Sequence, residues 1–283
     1  MFKTAFDFAK SLIEKELFID IGPSDITSDL LFDTEELCSA YIMSKSEGIL
    51  CGIKFARFVF KSLDPEMKFT ILIQDGEKIH KGDIIAEISA KTRAVLSAER
   101  TALNLLQHLS AIATKTNAAI KSLNNAHIKI LDTRKTVPGL RYLQKYAVVT
   151  GGGTNHRMGL YDNILIKNNH LNSYSIKNAV EKLRKLSDKH KIEVETRNIS
   201  EVKEALLAKA DIIMLDNFSI SQTKKAVNLI NQKAKIEISG GIKIKDLKKY
   251  RNLKVDYISM GCLTHSVEAL DICLRIKNKI SGT

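Results

Sequence analysis

Residues 131–170 read LDTRKTVPGLRYLQKYAVVTGGGTNHRMGLYDNILIKNNH and gather the side chains best suited to handling an anion. The stretch holds six Lys or Arg residues and two histidines against only two carboxylates, so its balance is strongly cationic. Three of the cations end apolar runs: Arg134 and Lys135 after IKILDT, and Lys167 after NILI. Arg157 stands beside His156, just after the glycine run in GGGT. A cation at the end of a buried strand is costly unless something negative meets it. Consecutive glycines suit a tight turn or a close backbone approach to a ligand. Each feature alone is weak, since solvated Lys and Arg are common in a basic chain and Gly-rich turns are ordinary loop chemistry. Together they predict a pocket for an anion carrying several charges.

Farther along, other strand-end residues join the candidates: Glu195, Asp216 with Asn217, Ser239 with Gly240 and Gly241, and Gly261. In KIEVET the two-residue period places Glu193 and Glu195 on one side of a strand. Buried acids are rare without cations or metal to meet them. Glu193, the deeper, reads as a structural ion-pair partner, and Glu195 as functional. Asp216 in MLDN has a serious rival role as a helix N-cap. SGGI and MGCLTHS suit a phosphate cradle made of backbone N–H groups and a helix N-terminus. Cations early, acids in the middle and a phosphate cradle last would suit a phosphorylated sugar beside a second, polyanionic substrate. The acids would then meet ribose hydroxyls or hold magnesium through water.

These residues need a large scaffold, and 283 residues can bury one big core or two smaller ones. Hydrophobic content of 44% with 27% charged fits a folded enzyme and excludes a disordered chain. No apolar run approaches the ~20 residues of a membrane span. The start, MFKTAFDFAKSLIEKELF, reads as an amphipathic helix with acids and not as a secretion signal, so the cytoplasm is the expected location. Cys38, Cys51, Cys262 and Cys273 form no CxxC pair, which argues for reduced thiols and against zinc. The net charge of +12 lies largely on ordinary helix faces, and no nucleic-acid-binding motif accompanies it.

The N-terminal helix is followed by DIGPSDITSDLLF, rich in turn and cap formers. Residues 38 to 92 change to strands, with DG and KGD turns that predict antiparallel hairpins and a helix, FARFVFKSL, between them. Leu96, Leu103, Leu106 and Leu109 then mark one long helix, or two. Beyond residue 125 the runs IKIL, AVVT, NILI, KIEVE, DIIML, KIEIS and DYISM alternate with helical stretches. Repeated strand–helix units predict a parallel sheet closed, or nearly closed, into an α/β barrel, with a doubly wound open sheet as the alternative. No GxGxxG supports a dinucleotide-binding sheet. In a barrel the site lies at the carboxyl ends of the strands, where the candidates fall.

DITSDLL, DGEKIHKGD, LSAERTALNLLQHLSAIAT, DTRKTVPGLR, KYAVVTGGGTNHRMGLYDNILIKNNH, ADIIMLDN, EISGGI and DYISMGCLTHSVEALD are long and specific. On them the chain resembles the quinolinate phosphoribosyltransferases, also called nicotinate-nucleotide pyrophosphorylases (carboxylating), nearly end to end. The resemblance implies an N-terminal α/β sandwich at 1–112, an incomplete barrel of about seven strands at 113–268 and a C-terminal helix at 269–283 packed back on the first domain. It implies reaction of quinolinate with phosphoribosyl pyrophosphate to give nicotinate mononucleotide, pyrophosphate and carbon dioxide, with magnesium. It also implies a homodimer, or a hexamer of such dimers, with shared active sites, and neither nucleic-acid nor membrane partners.

Residue by residue, Thr133, Arg134, His156, Arg157 and Lys167 would surround the quinolinate carboxylates and the pyrophosphate, with Lys135 close to the reacting groups. Arg100 would reach into a neighbouring subunit. Glu195 and Asp216 would hold the ribose and, indirectly, magnesium. Ser239, Gly240, Gly241 and Gly261 would cradle the 5-phosphate. The chain departs from the family pattern at Asn168, where Asp is usual, and at Val137, where Thr is usual. Neither position is among the assigned residues, so both read as tuning. The nearest rival is the sibling group linked to molybdate transport, of unknown substrate, which keeps TRK and HR but lacks the lysine corresponding to Lys167. An aldolase-like Schiff base on Lys135 or Lys167 would need a lysine kept neutral by burial.

Overall fold

The computed structural model describes residues 2–187 and 189–280. In chain order the elements are α1 (Phe2–Ile21), α2 (Ile26–Leu31), β1 (Leu37–Ser44), β2 (Gly48–Ile49), α3 (Ile53–Leu63), β3 (Lys68–Ile71), β4 (Lys78–Ile79), β5 (Ile84–Lys91) and α4 (Thr92–Leu123). There follow β6 (Lys129–Leu131), α5 (Arg141–Thr150), β7 (Ile164–Ile166), α6 (Asn168–Leu171), α7 (Ile176–Leu186), β8 (Ile192–Thr196) and α8 (Ile199–Leu207). The last are β9 (Ile212–Asp216), α9 (Ile220–Ile230), β10 (Lys235–Ser239), a 3₁₀ turn (Ile244–Lys249), β11 (Tyr257–Ser259), α10 (Cys262–His265) and β12 (Ile272–Ile280). They form two compact units: residues 1–117, 137–152 and 266–283 in one, residues 118–136 and 153–265 in the other.

The first unit is built on an antiparallel sheet of order β12-β1-β5-β3. In β1 the residues Cys38, Ala40 and Ile42 are buried while their neighbours are not, which is the period of a strand with one face covered. Helices cover that sheet: Phe60 of α3 packs 5.9 Å from Phe69 of β3, and Gln107 of α4 donates to the Ile272 carbonyl at 2.6 Å. The four cysteines are free thiols, Cys38 and Cys51 buried.

Two expectations for this unit are corrected. The C-terminal segment is the strand β12, paired antiparallel with β1, and not a helix. Ile272 and Leu274 are buried on alternate positions, a two-residue period, and pairing satisfies the outer edge of β1. AVVT is the last turn of α5 and not a strand. Leu143, Ala147 and Val148 share its buried face at helical spacing, and a run of four apolar residues cannot reveal its period by itself. The glycine run also resolves here. A Cβ on Gly151 would stand 2.9 Å from the Ala113 Cα of α4, so this glycine serves helix packing and not ligand approach.

The second unit carries a parallel sheet of order β6-β11-β10-β9-β8-β7. A single parallel bridge from Leu131 to Thr154 adds a seventh segment beside β6. Among the described residues nothing pairs β7 with that segment, so the barrel is incomplete. Outward residues Val194, Ile213, Leu215, Ile236 and Ile238 are fully buried, as are Val202 of α8 and Ala226 of α9. The inward positions of the same strands are polar toward their carboxyl ends: Glu193 and Glu195, Asp216, Glu237 and Ser239, Ser259. Ser175, Asn198 and Ser219 cap α7, α8 and α9 by accepting a backbone N–H. Each helix start is thereby set just beyond a strand end.

Candidate active site

Nine of the residues singled out from sequence line one cavity of about 230 Å³: Thr133, Arg134, Lys135, His156, Arg157, Lys167, Glu195, Asp216 and Ser239. They come from the ends of five strands and from the loop after Thr154, which explains their scatter along the chain. Gly240 and Gly241 follow β10 directly, and Gly261 stands two residues past the end of β11. Gly261 lies against Lys135: a Cβ there would be 3.1 Å from the lysine Cδ. The Lys135 carbonyl accepts from the Thr264 hydroxyl at 2.7 Å and its N–H donates to Thr133 Oγ1 at 3.0 Å, so the TRK turn is held from both sides. Arg100 is exposed on α4 in the first unit.

The cations differ in environment. Arg157 is buried, and its guanidinium donates to the Asn163 carbonyl at 3.0 Å. Burial and the neighbouring Arg134 lower its affinity for its proton, which Glu193 and Asp162 partly offset. Two guanidinium groups this close favour a polyanion between them. Lys135 and Lys167 are exposed, with Lys167 Nζ 4.0 Å from Glu195 Oε2. His170, the other histidine of the early stretch, is exposed; its Nδ1 accepts the Lys167 N–H at 2.9 Å and so steadies that lysine's backbone.

Burial raises the Glu195 carboxyl above its ordinary pKa, Asp216 pushes in the same direction, and Lys167 and the Asn168 N–H oppose them. Asn168 thus acts on Glu195 through its backbone, which an Asp at that position would also supply; its own Oδ1 is buried without a partner. Asp216 is not a helix cap. Ser219 caps α9 in a reciprocal pair with Gln222, leaving Asp216 to accept the Asn217 side-chain N–H at 2.9 Å and to face the cavity. Glu195 and Asp216 both line the cavity and offer the hard oxygen donors that magnesium takes.

Gly240 adopts φ +99° and Gly241 φ +59°, so the backbone after β10 turns through conformations suited to glycine. Sequence reasoning missed four lining residues, Leu165, Met214, Glu237 and Ser259. Alternation in KIEIS puts Glu237 on the side of Ser239, so the signal is present one step back from the strand end.

Sequence models of both domains of quinolinate phosphoribosyl transferase match this chain, the N-terminal domain at residues 25–110 and the C-terminal domain at residues 112–275. The chain is 44% identical to a probable nicotinate-nucleotide pyrophosphorylase [carboxylating] of Bacillus subtilis, over 94% of this chain and 93% of that one. A second, from Methanocaldococcus jannaschii, is 41% identical over 95% of this chain and 98% of its own. The solved nicotinate-nucleotide pyrophosphorylase of Francisella tularensis superposes with a TM-score of 0.91 at 41% identity, covering 96% of each chain. With matching domain models, relatives and fold, and a cationic cavity at the strand ends, the chain belongs to the quinolinate phosphoribosyltransferase family.

Proposed function

We propose that this chain transfers the phosphoribosyl group of phosphoribosyl pyrophosphate to quinolinate with loss of carbon dioxide, giving nicotinate mononucleotide and pyrophosphate for NAD biosynthesis. The observation that carries the reading is a single cavity lined by Arg134, Lys135, Arg157 and Lys167 together with Glu195 and Asp216.

Quinolinate is a dianion and phosphoribosyl pyrophosphate carries more charge still, so the substrates repel each other in water. Arg134, Arg157 and Lys167, with Thr133 and His156 around them, hold the pyridine carboxylates. Lys135, on the TRK turn, faces the departing pyrophosphate and stabilises the charge that builds on it. Loss of that group leaves an oxocarbenium-like ribose, which the Glu195 and Asp216 carboxylates stabilise electrostatically while accepting from its hydroxyls. Magnesium, when bound, would sit by these two acids through water and neutralise pyrophosphate oxygens. Ser239, Gly240, Gly241 and Gly261 present hydroxyl and backbone N–H groups to the 5-phosphate. Decarboxylation then needs no nucleophile, because the quaternised ring nitrogen accepts the electron pair. A cytoplasmic homodimer, or a hexamer of dimers, with Arg100 entering a partner's cavity, completes the reading.

The test is turnover of quinolinate and phosphoribosyl pyrophosphate with magnesium, followed as nicotinate mononucleotide by chromatography, beside a tube with nicotinate instead. Turnover with quinolinate alone is expected. Turnover with nicotinate alone, or with neither from folded oligomeric protein, would overturn it, the latter pointing to the molybdate-linked siblings.

A further inference from the structure

At the cavity wall, Glu193 of β8 and Glu237 of β10 converge on the ring of His156. They are 4% and 1% exposed. His156 Nε2 lies 3.4 Å from Glu193 Oε2 and 3.6 Å from Glu237 Oε1. One oxygen of each carboxylate and an imidazole nitrogen fall within 4.8 Å of one another, as a metal ion would require. The other ring nitrogen argues against a metal. His156 Nδ1 accepts the Arg157 backbone N–H at 2.8 Å, so the lone pair is on Nδ1 and the proton on Nε2. A metal would need that lone pair on Nε2, with Nδ1–H bonded outward.

An Nε2–H donor wants acceptors, and the two glutamates supply them. Two ionised carboxylates at this depth beside a neutral imidazole would be very costly. Burial and the adjacent Glu193 push the Glu237 carboxyl up to about 8. Glu193 Oε1, Glu237 Oε1 and Ser259 Oγ are buried without a hydrogen-bond partner.

We propose that the buried carboxylates of Glu193 and Glu237 are positioning residues that hold His156 in its Nε2–H tautomer, so that its Nδ1 clamps the Arg157 backbone and sets that guanidinium in the substrate cavity. The clamp has a second anchor: the His156 N–H donates to Oδ1 of the buried Asp132 at 2.9 Å. His156 is then a neutral strut, and the cavity's positive charge resides on Arg134, Lys135, Arg157 and Lys167. Ionising Glu237 would put a second negative charge beneath polyanionic substrates. The charged groups lining the two cavities that Glu237 borders are Glu193 and Glu195 of β8, Asp216 of β9, His156 and Arg157 from the loop after Thr154, Arg134 and Lys135 beyond β6, Lys167 beyond β7, and Lys129 and Lys191.

The inference rests on Arg157 serving the substrate site as proposed above, but its first test is independent of any reaction. Protein labelled with ¹⁵N-histidine, with His156 signals identified by their loss in His156→Gln, reports the tautomer directly. The Nε2–H pattern from pH 6 to 7.5 is expected. An imidazolium, an Nδ1–H tautomer or a metal-coordinated Nε2 would overturn the proposal. The second test is the pH profile of kcat/KM for quinolinate in Glu237→Gln, whose amide keeps the shape of the neutral acid without its ionisation. The parent should lose about tenfold per pH unit above the Glu237 transition, and the variant should lack that limb. Persistence of the limb in folded Glu237→Gln would refute the role of its proton.

Discussion

Replacing Gly240 by Ala tests the phosphate cradle against an internal control one residue away. Gly240 sits at φ +99°, and a Cβ there would lie 2.6 Å from the Asn217 backbone nitrogen and 2.5 Å from its Cγ. Ordinary contact begins near 3.4 Å, so the methyl would intrude by most of an ångström. The Asn217 side chain can rotate away, but its backbone cannot easily yield, because its N–H donates to the Ser239 carbonyl at 3.0 Å. Backbone strain of about 1–3 kcal/mol and overpacking of about 1–3 kcal/mol predict a loss of roughly 2–6 kcal/mol. Gly241 has φ +59° and nothing within 4 Å of its would-be Cβ, so Gly241→Ala should cost only the left-handed strain, about 1–2 kcal/mol. Urea unfolding of both variants, compared at equal m, measures the difference, and KM for phosphoribosyl pyrophosphate should rise in Gly240→Ala. Equal unfolding midpoints would show that Gly240 does not approach Asn217 as described and would remove the packing reason for this glycine.

Other expectations follow from the same geometry. Ser219→Ala should cost about 1 kcal/mol by uncapping α9, whereas Asp216→Asn should leave stability within about 0.5 kcal/mol and lower kcat by roughly 10²-fold or more; a thermal shift in the second variant as large as in the first would restore the capping role. Because the folded-state pKa of Glu237 is raised, its contribution is fully present below the ordinary 4.5 and is lost as pH rises toward about 8. Glu237→Gln should therefore gain on the parent by a few kcal/mol between pH 5 and pH 8 in urea unfolding, and a gap independent of pH would count against a buried neutral acid. Arg100→Ala subunits mixed with Lys135→Ala subunits should regain activity; none in verified mixed oligomers would sink the shared site.

The chain itself declared its chemistry and most of its architecture. Periodicities of two and of three to four residues marked the first-unit strands, the long α4 and the strand–helix repeats of the second unit, because each element buries one face and its spacing is local. The DG and KGD turns, however, close no hairpin, since β3 pairs with β5 and β4 with β2. Arg134, Lys135, Lys167, Glu195, Asp216 and Ser239 were legible as strand-end residues for the same reason. Where a run was too short to show its period, as in AVVT, burial decided, and helix α5 took it. The segment after residue 269 became a strand because the open edge of β1, more than two hundred residues earlier, needed a partner. Only the tertiary structure could settle the rest. Whether Gly151 serves packing or a ligand depends on what passes beside it, and α4 does. Whether Asp216 caps a helix depends on where α9 begins, and Ser219 begins it. Whether His156 is a cation depends on what its two nitrogens meet, and those partners lie on a neighbouring residue and on strands β8 and β10. Local pattern is written in adjacent residues; charge state and role are set by neighbours that folding alone brings together.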